Sequence, residues 1–195
     1  MRMHQGQNRI TTMKNDEGLL VEEYDKVNDI IVEFYKNLFS PPEDSPHIEA
    51  EIEKLNVKRI YEADALIINN SVTVKEIENT MMSMKRGKAP GPDGFTTEIY
   101  KDSWQITKDT VVEAVQTFFA TCQMPRHMNN TIIFLIPKVP NPQNMKEYRP
   151  ISCYNTVYKC ITTILANRLK HTLHNVIALQ QTADVSGEVS MMVYY

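Results

Sequence analysis

An α+β fold, mostly helical, is what this sequence predicts, and three observations carry it. Apolar residues recur at spacings of three and four in several long stretches, the mark of helices that bury one face. One β-like run, Thr131-Ile132-Ile133-Phe134-Leu135-Ile136, leads through a proline-broken loop to a second extended piece at Tyr148–Ser152. Between the helical stretches stands Pro90-Gly91-Pro92-Asp93-Gly94, where two prolines and two glycines in five residues forbid helix and strand alike.

Taken in order, residues 8–21 read as two short extended pieces around Lys14-Asn15-Asp16-Glu17-Gly18, a turn closed by glycine. From Glu22 to Phe39 the apolar positions Tyr24, Val27, Ile31, Phe34 and Leu38 define an amphipathic helix, and Ser40-Pro41-Pro42 stops it. Residues 41–70 are acidic, contain three prolines and read as a linker with a short helix over 48–60. The next helix opens at Thr73, with Glu76 three residues on as in a capping box, and shows one face of Val74, Ile77, Met81 and Met84. Methionines at this spacing are packing residues. Gly87 ends the segment and opens the Pro-Gly turn.

Helical signal returns over 95–122 as two helices broken near Trp104–Thr107, the second with a stripe of Val111, Val112, Val115, Phe118 and Phe119. Met124-Pro125 ends it. After the β unit around 131–152, a helix begins near Asn155, with Val157, Ile161, Ile164, Leu165, Leu169, Leu173 and Val176 on one face. Its other face carries Lys159, Arg168, Lys170, His171 and His174. Gln180 to Tyr195 has no periodicity.

The net charge of −3 conceals a strong asymmetry. Residues 1–125 hold 14 Lys and Arg against 21 Asp and Glu, whereas residues 126–174 hold seven against Glu147 alone. That block is a candidate phosphate-facing surface, and equally a solvated basic face by charge alone. No apolar run reaches the roughly 20 residues of a membrane helix, so no membrane partner is expected. Cys122, Cys153 and Cys160 are odd in number and lie at no metal-ligand spacing, which predicts reduced thiols in an intracellular protein of nucleus or cytoplasm. No His/Cys cluster supports zinc, and His127, His171 and His174 read as surface residues.

Two groups carry candidate chemistry. Lys138 and Arg149 flank the proline-broken loop, one a mobile point charge and the other a planar fork, a pairing suited to phosphate oxygens. Pro137 and Pro150 stiffen the backbone beside each. By spacing alone they also read as two exposed loop cations. The Pro-Gly turn, flanked by Lys85, Arg86 and Lys88, is able to approach a nucleic-acid backbone closely, or to serve as a simple inter-helix turn. It is not a Walker loop, because no Gly-Lys-Ser/Thr follows and the prolines remove N–H donors.

Taken together, Gly87-Lys88-Ala89-Pro90-Gly91-Pro92-Asp93-Gly94-Phe95, Ile132 to Lys138, Tyr148-Arg149-Pro150-Ile151-Ser152, Tyr158-Lys159 and Leu165-Ala166-Asn167-Arg168-Leu169-Lys170 resemble the fingers segments of a plant-type non-LTR (LINE-like) retrotransposon reverse transcriptase, in the right order. The resemblance covers about residues 71–183, and residues 8–39 look like the connector that precedes the polymerase in such proteins. It implies the fingers and upstream connector of a right-hand polymerase without its palm. The organisation expected is a connector over 1–70, a partial reverse transcriptase domain over 71–183 and a divergent tail over 184–195.

The resemblance also assigns roles. Lys138 and Arg149 would contact the phosphates of an incoming deoxynucleoside triphosphate, and Lys88, Gly91, Gly94, Lys159, Arg168 and Lys170 would face nucleic acid. RNA template and DNA primer are the implied partners, with a palm domain supplied in trans. The helix 155–174 would lay its apolar face on that palm, leaving an exposed apolar patch along Ile161–Val176 and marginal stability in its absence. Mg²⁺ serves the intact family enzyme through palm carboxylates, one in a segment beyond Tyr195 and two in a Tyr-X-Asp-Asp turn. Neither segment lies within these 195 residues, so no catalytic residue and no bound cofactor is expected of this fragment. After Gln180-Gln181-Thr182-Ala183 the sequence leaves the family pattern, with Asp184 at an aromatic place and Glu188 at an arginine place, as a frameshift or aberrant splice near 184 would produce. Two other functions fit the same residues. One is a non-catalytic nucleic-acid-binding module on 126–174, the other an acidic helical interaction protein built on 1–70.

Overall fold

The computed structural model describes residues 9–15, 17–40 and 60–176, the last four of these by backbone alone. Among them the order is β1 (Met13–Lys14), β2 (Leu20–Val21), α1 (Tyr24–Phe39), α2 (Glu62–Asn69), α3 (Val74–Ser83), α4 (Thr97–Asp102), α5 (Trp104–Thr121), α6 (Arg126–Asn129), β3 (Thr131–Pro137), β4 (Tyr148–Tyr154) and α7 (Thr156–Val176). The described residues fall into two compact units, those within 1–57 with 134–151 and those within 58–133 with 152–195. The helix expected over 48–60 falls, except for residue 60, outside the described residues, as does the divergent tail.

In the first unit β1 and β2 pair antiparallel, Met13 opposite Val21 and Lys14 opposite Leu20. Asn15 makes the turn: its Oδ1 accepts from the Leu19 N–H at 2.9 Å, and its carbonyl accepts from Gly18. The Lys14 N–H donates to Gln143 O at 2.8 Å, tying the hairpin to the loop before β4. Met13, Val27, Met145 and Tyr148 form the buried centre, with Ile31, Phe34 and Leu135 packed against it. Of the α1 stripe, the middle is used and the ends are not. Val27 is 3% exposed, while Tyr24 and Leu38 stay largely in solvent.

The second unit is built around α7, against which α2, α3, α5 and α6 pack. Val157, Cys160, Ile161 and Ile164 from α7 meet Val72, Ile77, Met81, Trp104, Val111 and Val115 in one apolar cluster. The exposed patch expected along Ile161–Val176 is therefore corrected at its start. Ile161 and Ile164 are 1% and 0% exposed, because helices of the same chain cover the face assigned to a palm. Leu169 does remain 42% exposed.

Local signals explain most boundaries. Thr73 Oγ1 accepts from the Glu76 N–H at 3.1 Å and starts α3. Ser103 separates α4 from α5, one residue before the expected break, and Cys122 in the left-handed region (φ 55°) ends α5. Helix α2 corrects the linker expected over 41–70. Its eight residues, Glu-Ala-Asp-Ala-Leu-Ile-Ile-Asn, are too few for periodicity to show, and packing on α7 stabilises what propensity alone would not.

Candidate nucleic-acid interface

The candidate residues fall on two structures, one in each unit. In the first unit Lys138 and Arg149 stand at the loop end of the β3–β4 ribbon. The backbone pins them there: Lys138 N–H donates to Glu147 O at 2.7 Å. Side chains alternate along a strand, so burying Tyr148 in the core turns Arg149 outward, and Arg149 is exposed. Lys138 is exposed as well, its Nζ donating to Lys146 O at 2.8 Å.

Glu147, the single acid of the basic block, is consumed inside the loop. Its carboxylate accepts from the backbone N–H of Gln143 (2.6 Å) and Asn144 (3.2 Å) and from Asn144 Nδ2 (3.1 Å). These bonds, the Gln143 N–H first, hold its carboxyl below the ordinary range. The ribbon thus leaves its two cations exposed and ties its carboxylate to Gln143 and Asn144 of its own loop. Beside it a groove of about 330 Å³ is lined by Arg9, Thr11, Thr12, Pro137, Val139 and Tyr148.

In the second unit the Pro-Gly turn is docked on the start of α7. Gly91 is buried there, and a Cβ added to it would stand 2.6 Å from the Tyr154 carbonyl carbon and closer still to Asn155 N and Oδ1. Glycine is required by space rather than by φ at that position. Gly94 has the opposite reason: φ is +74° with open space around it.

Three contacts, from the first turn of α7 and the residue before it, hold the Pro-Gly turn. Asn155 Oδ1 accepts from the Asp93 N–H at 3.3 Å, Thr156 Oγ1 donates to Phe95 O at 2.9 Å, and Lys159 Nζ donates to Ala89 O at 3.0 Å. From the other side Arg86 pairs with Asp102 at 2.5 Å, and the Gly87 N–H donates to Glu98. Lys101 Nζ reaches the carbonyls of Met82 and Met84. The turn is stiffened by its prolines and braced at both ends, with Lys85, Arg86 and Lys88 exposed at its entrance.

The remaining candidates separate sharply. Lys170 is half-buried on α7. Arg168 is 6% exposed and is corrected from a template contact to an internal brace. Its Nε and Nη2 donate to the two carboxylate oxygens of Glu76 at 2.8 and 2.7 Å, and its Nη1 donates to Ile68 O and Asn70 O at 3.0 and 2.5 Å. The guanidinium also lies over the Phe119 ring, 5.3 Å from its centroid. Every guanidinium nitrogen is engaged, and four of the five N–H donors are used inside the chain.

Sequence reasoning passed over Asn155 and Thr156. Asparagine just before a helix signals an N-terminus. It does not announce that the same side chain also reaches Asp93, 62 positions away, and the carbonyls of His127 and Met128.

Among the described residues no group of three His, Cys, Asp or Glu side chains is placed to hold a metal ion. Nor, among the described residues, is any helix long and apolar enough to cross a membrane.

No family model matches the sequence. The chain is similar to the "Transposon TX1 uncharacterized 149 kDa protein" of Xenopus laevis, 28% identical over 180 residues. The match takes in 92% of this chain and 14% of that protein, so the chain spans about a seventh of the relative's length. A relation to a transposon protein follows, and it runs through nearly every segment discussed above.

Proposed function

We propose that this chain is a retrotransposon-derived fragment of an RNA-directed DNA polymerase, the fingers portion, which contacts nucleotide and template and has no polymerase activity by itself. The observation that carries this reading is the docking of the 87–95 turn on the first turn of α7. Two motif stretches about 60 residues apart are joined by Asn155, Thr156 and Lys159 into one braced surface. The similarity to a transposon protein over 92% of the chain supports it, and so does the outward placement of Lys138 and Arg149.

In this reading the ribbon's two cations meet triphosphate oxygens, whose charge an exposed lysine and a forked arginine suit. The turn lies along the template backbone, where stiff, glycine-bearing chain permits close approach. RNA template, DNA primer and deoxynucleoside triphosphate are the partners, and a palm acting in trans would supply the carboxylates for Mg²⁺.

Photo-crosslinking of an azido-deoxynucleoside triphosphate to the purified chain tests the nucleotide role. Crosslinks mapped by mass spectrometry to 137–150 and lost in Lys138→Ala and Arg149→Ala are expected, as is no primer extension with Mg²⁺. Labelling indifferent to both substitutions contradicts the nucleotide role, and template-dependent product contradicts the lack of activity.

A second reading rests on α1, where Tyr24, Val32, Leu38 and Phe39 are exposed apolar side chains on one acidic element. They suit a protein partner. A pull-down that keeps all its partners after removal of residues 1–70 eliminates it.

A further inference from the structure

Asn155 is 3% exposed, and its side chain is used at both ends. The Nδ2 amide donates to His127 O at 3.1 Å and Met128 O at 3.3 Å, at the end of the single-turn helix α6. Oδ1 accepts from the Asp93 N–H at 3.3 Å, inside the Pro-Gly turn. Its own backbone carbonyl accepts from Lys159 N–H at 3.0 Å, the first bond of α7. One amide therefore connects α6, the turn and the start of α7. Gly91 presses on this same residue so closely that no Cβ fits between them.

Amide chemistry is required at this place. The site offers two carbonyl acceptors on one side and one N–H donor on the other. Asparagine presents a donor and an acceptor together, whereas aspartate is acceptor-only when ionised and would face two carbonyls. An apolar residue would leave all three backbone groups without that partner. The prolines make the turn stiff without fixing where it points. A stiff loop held at a wrong angle presents Lys88 as poorly as a floppy one.

We infer that Asn155 is a positioning residue for nucleic-acid binding, a latch that sets the orientation of the 87–95 turn and of Lys88 toward the backbone of the bound strand. The inference rests on the reading of the turn as a template contact. Asn155 itself touches no nucleic acid and acts through the turn.

The test is a double-mutant cycle on the full chain, using fluorescence anisotropy with a 20-nucleotide single-stranded RNA at fixed salt. Asn155→Ala is expected to weaken binding on the order of tenfold, as is Lys88→Ala. The double variant is expected to bind no more weakly than Lys88→Ala alone, because a misaimed turn has nothing left to lose. Additive losses in the cycle overturn the latch, since a residue acting elsewhere would add its effect. Gly91→Ala provides a second approach, pushing the turn off Asn155 from the other side, and should weaken binding without further loss in the Lys88→Ala background.

A readout without RNA separates the latch from the reading beneath it. Hydrogen exchange at the Asp93 amide should quicken at least tenfold in Asn155→Ala while the amides of Ile161 and Ile164 keep their protection. Unchanged Asp93 exchange overturns the latch, and so does equal loss of protection throughout α7, which marks a general folding defect. Absence of RNA binding in the unsubstituted chain, with Asp93 exchange behaving as expected, removes the template reading and with it the binding role of Asn155, leaving a structural latch alone.

Discussion

Arg168 and Glu76, 92 positions apart, meet in a two-point ion pair that joins α7 to α3 and closes the end of α2. The last carbonyls of a helix lack intrahelical partners, and Arg168 Nη1 satisfies those of Ile68 and also Asn70 O beyond it. One side chain thereby couples three helices, and Phe119 of a fourth stacks beneath it.

Removing either partner should be costly. With the Arg168 side chain 8% and the Glu76 side chain 30% exposed, Arg168→Ala or Glu76→Ala is expected to destabilise the second unit by about 3 kcal/mol. Urea unfolding monitored by circular dichroism measures it. A loss below about 0.5 kcal/mol, the level of a surface pair, contradicts the brace.

The same pair sets a pH dependence. Hydrogen bonds from Arg168, more than any other cause, hold the Glu76 carboxyl below its ordinary value of 4.5. A depressed carboxyl contributes stability that is fully present above the unfolded value and is lost as pH falls through the folded one. The unsubstituted chain should therefore lose stability below about pH 4.5 more steeply than Glu76→Gln, which has no such proton to bind. Parallel acid titrations of the two proteins contradict the assignment.

Covering of the α7 face gives another contrast. Ile164→Ala, at 0% exposure, should cost about 3 kcal/mol, and Leu169→Ala, at 42%, less than about 1 kcal/mol. Equal small losses would mean that the apolar face is uncovered, as the sequence alone had suggested.

Thiol reactivity offers an independent check of the core. Burial pushes the Cys160 thiol up to about 12, so at pH 8 roughly one part in ten thousand is thiolate, the reactive form. Cys122 is exposed and Cys153 buried. Iodoacetamide followed by mass spectrometry should modify Cys122 first and Cys160 only on unfolding. Early labelling of Cys160 contradicts the packing around Ile161 and Ile164.

Much of this fold was legible in the sequence because its signals are local. The β1–β2 turn at Asn15–Gly18, the helix start at Thr73 and the apolar stripes of α5 and α7 all declare themselves within a few residues. What was not legible depends on distant partners. Arg168 looks like one more cation on a basic helix face until Glu76, Ile68 and Asn70 are placed around it. Helix α2 is too short to show periodicity and is specified by what it packs on. Residues 134–151 gather with the N-terminal segment, through contacts such as Lys14 N–H to Gln143 O, and no linear division of the chain at residue 70 expresses that. The Pro-Gly turn was recognisable as a shaped loop, while the residue that aims it, Asn155, carried no mark of that role.

The proposed template contact runs through Lys88 and Lys170, and salt dependence tests it most directly. Binding of a single-stranded RNA measured from 25 to 300 mM KCl should give log K falling linearly with log salt, with a slope of about −1.4 for two phosphate contacts. Replacing both residues by alanine should flatten that slope and weaken binding, with α-helical signal and Tm retained. Absent binding at 25 mM KCl, or affinity indifferent to salt, would contradict the claim.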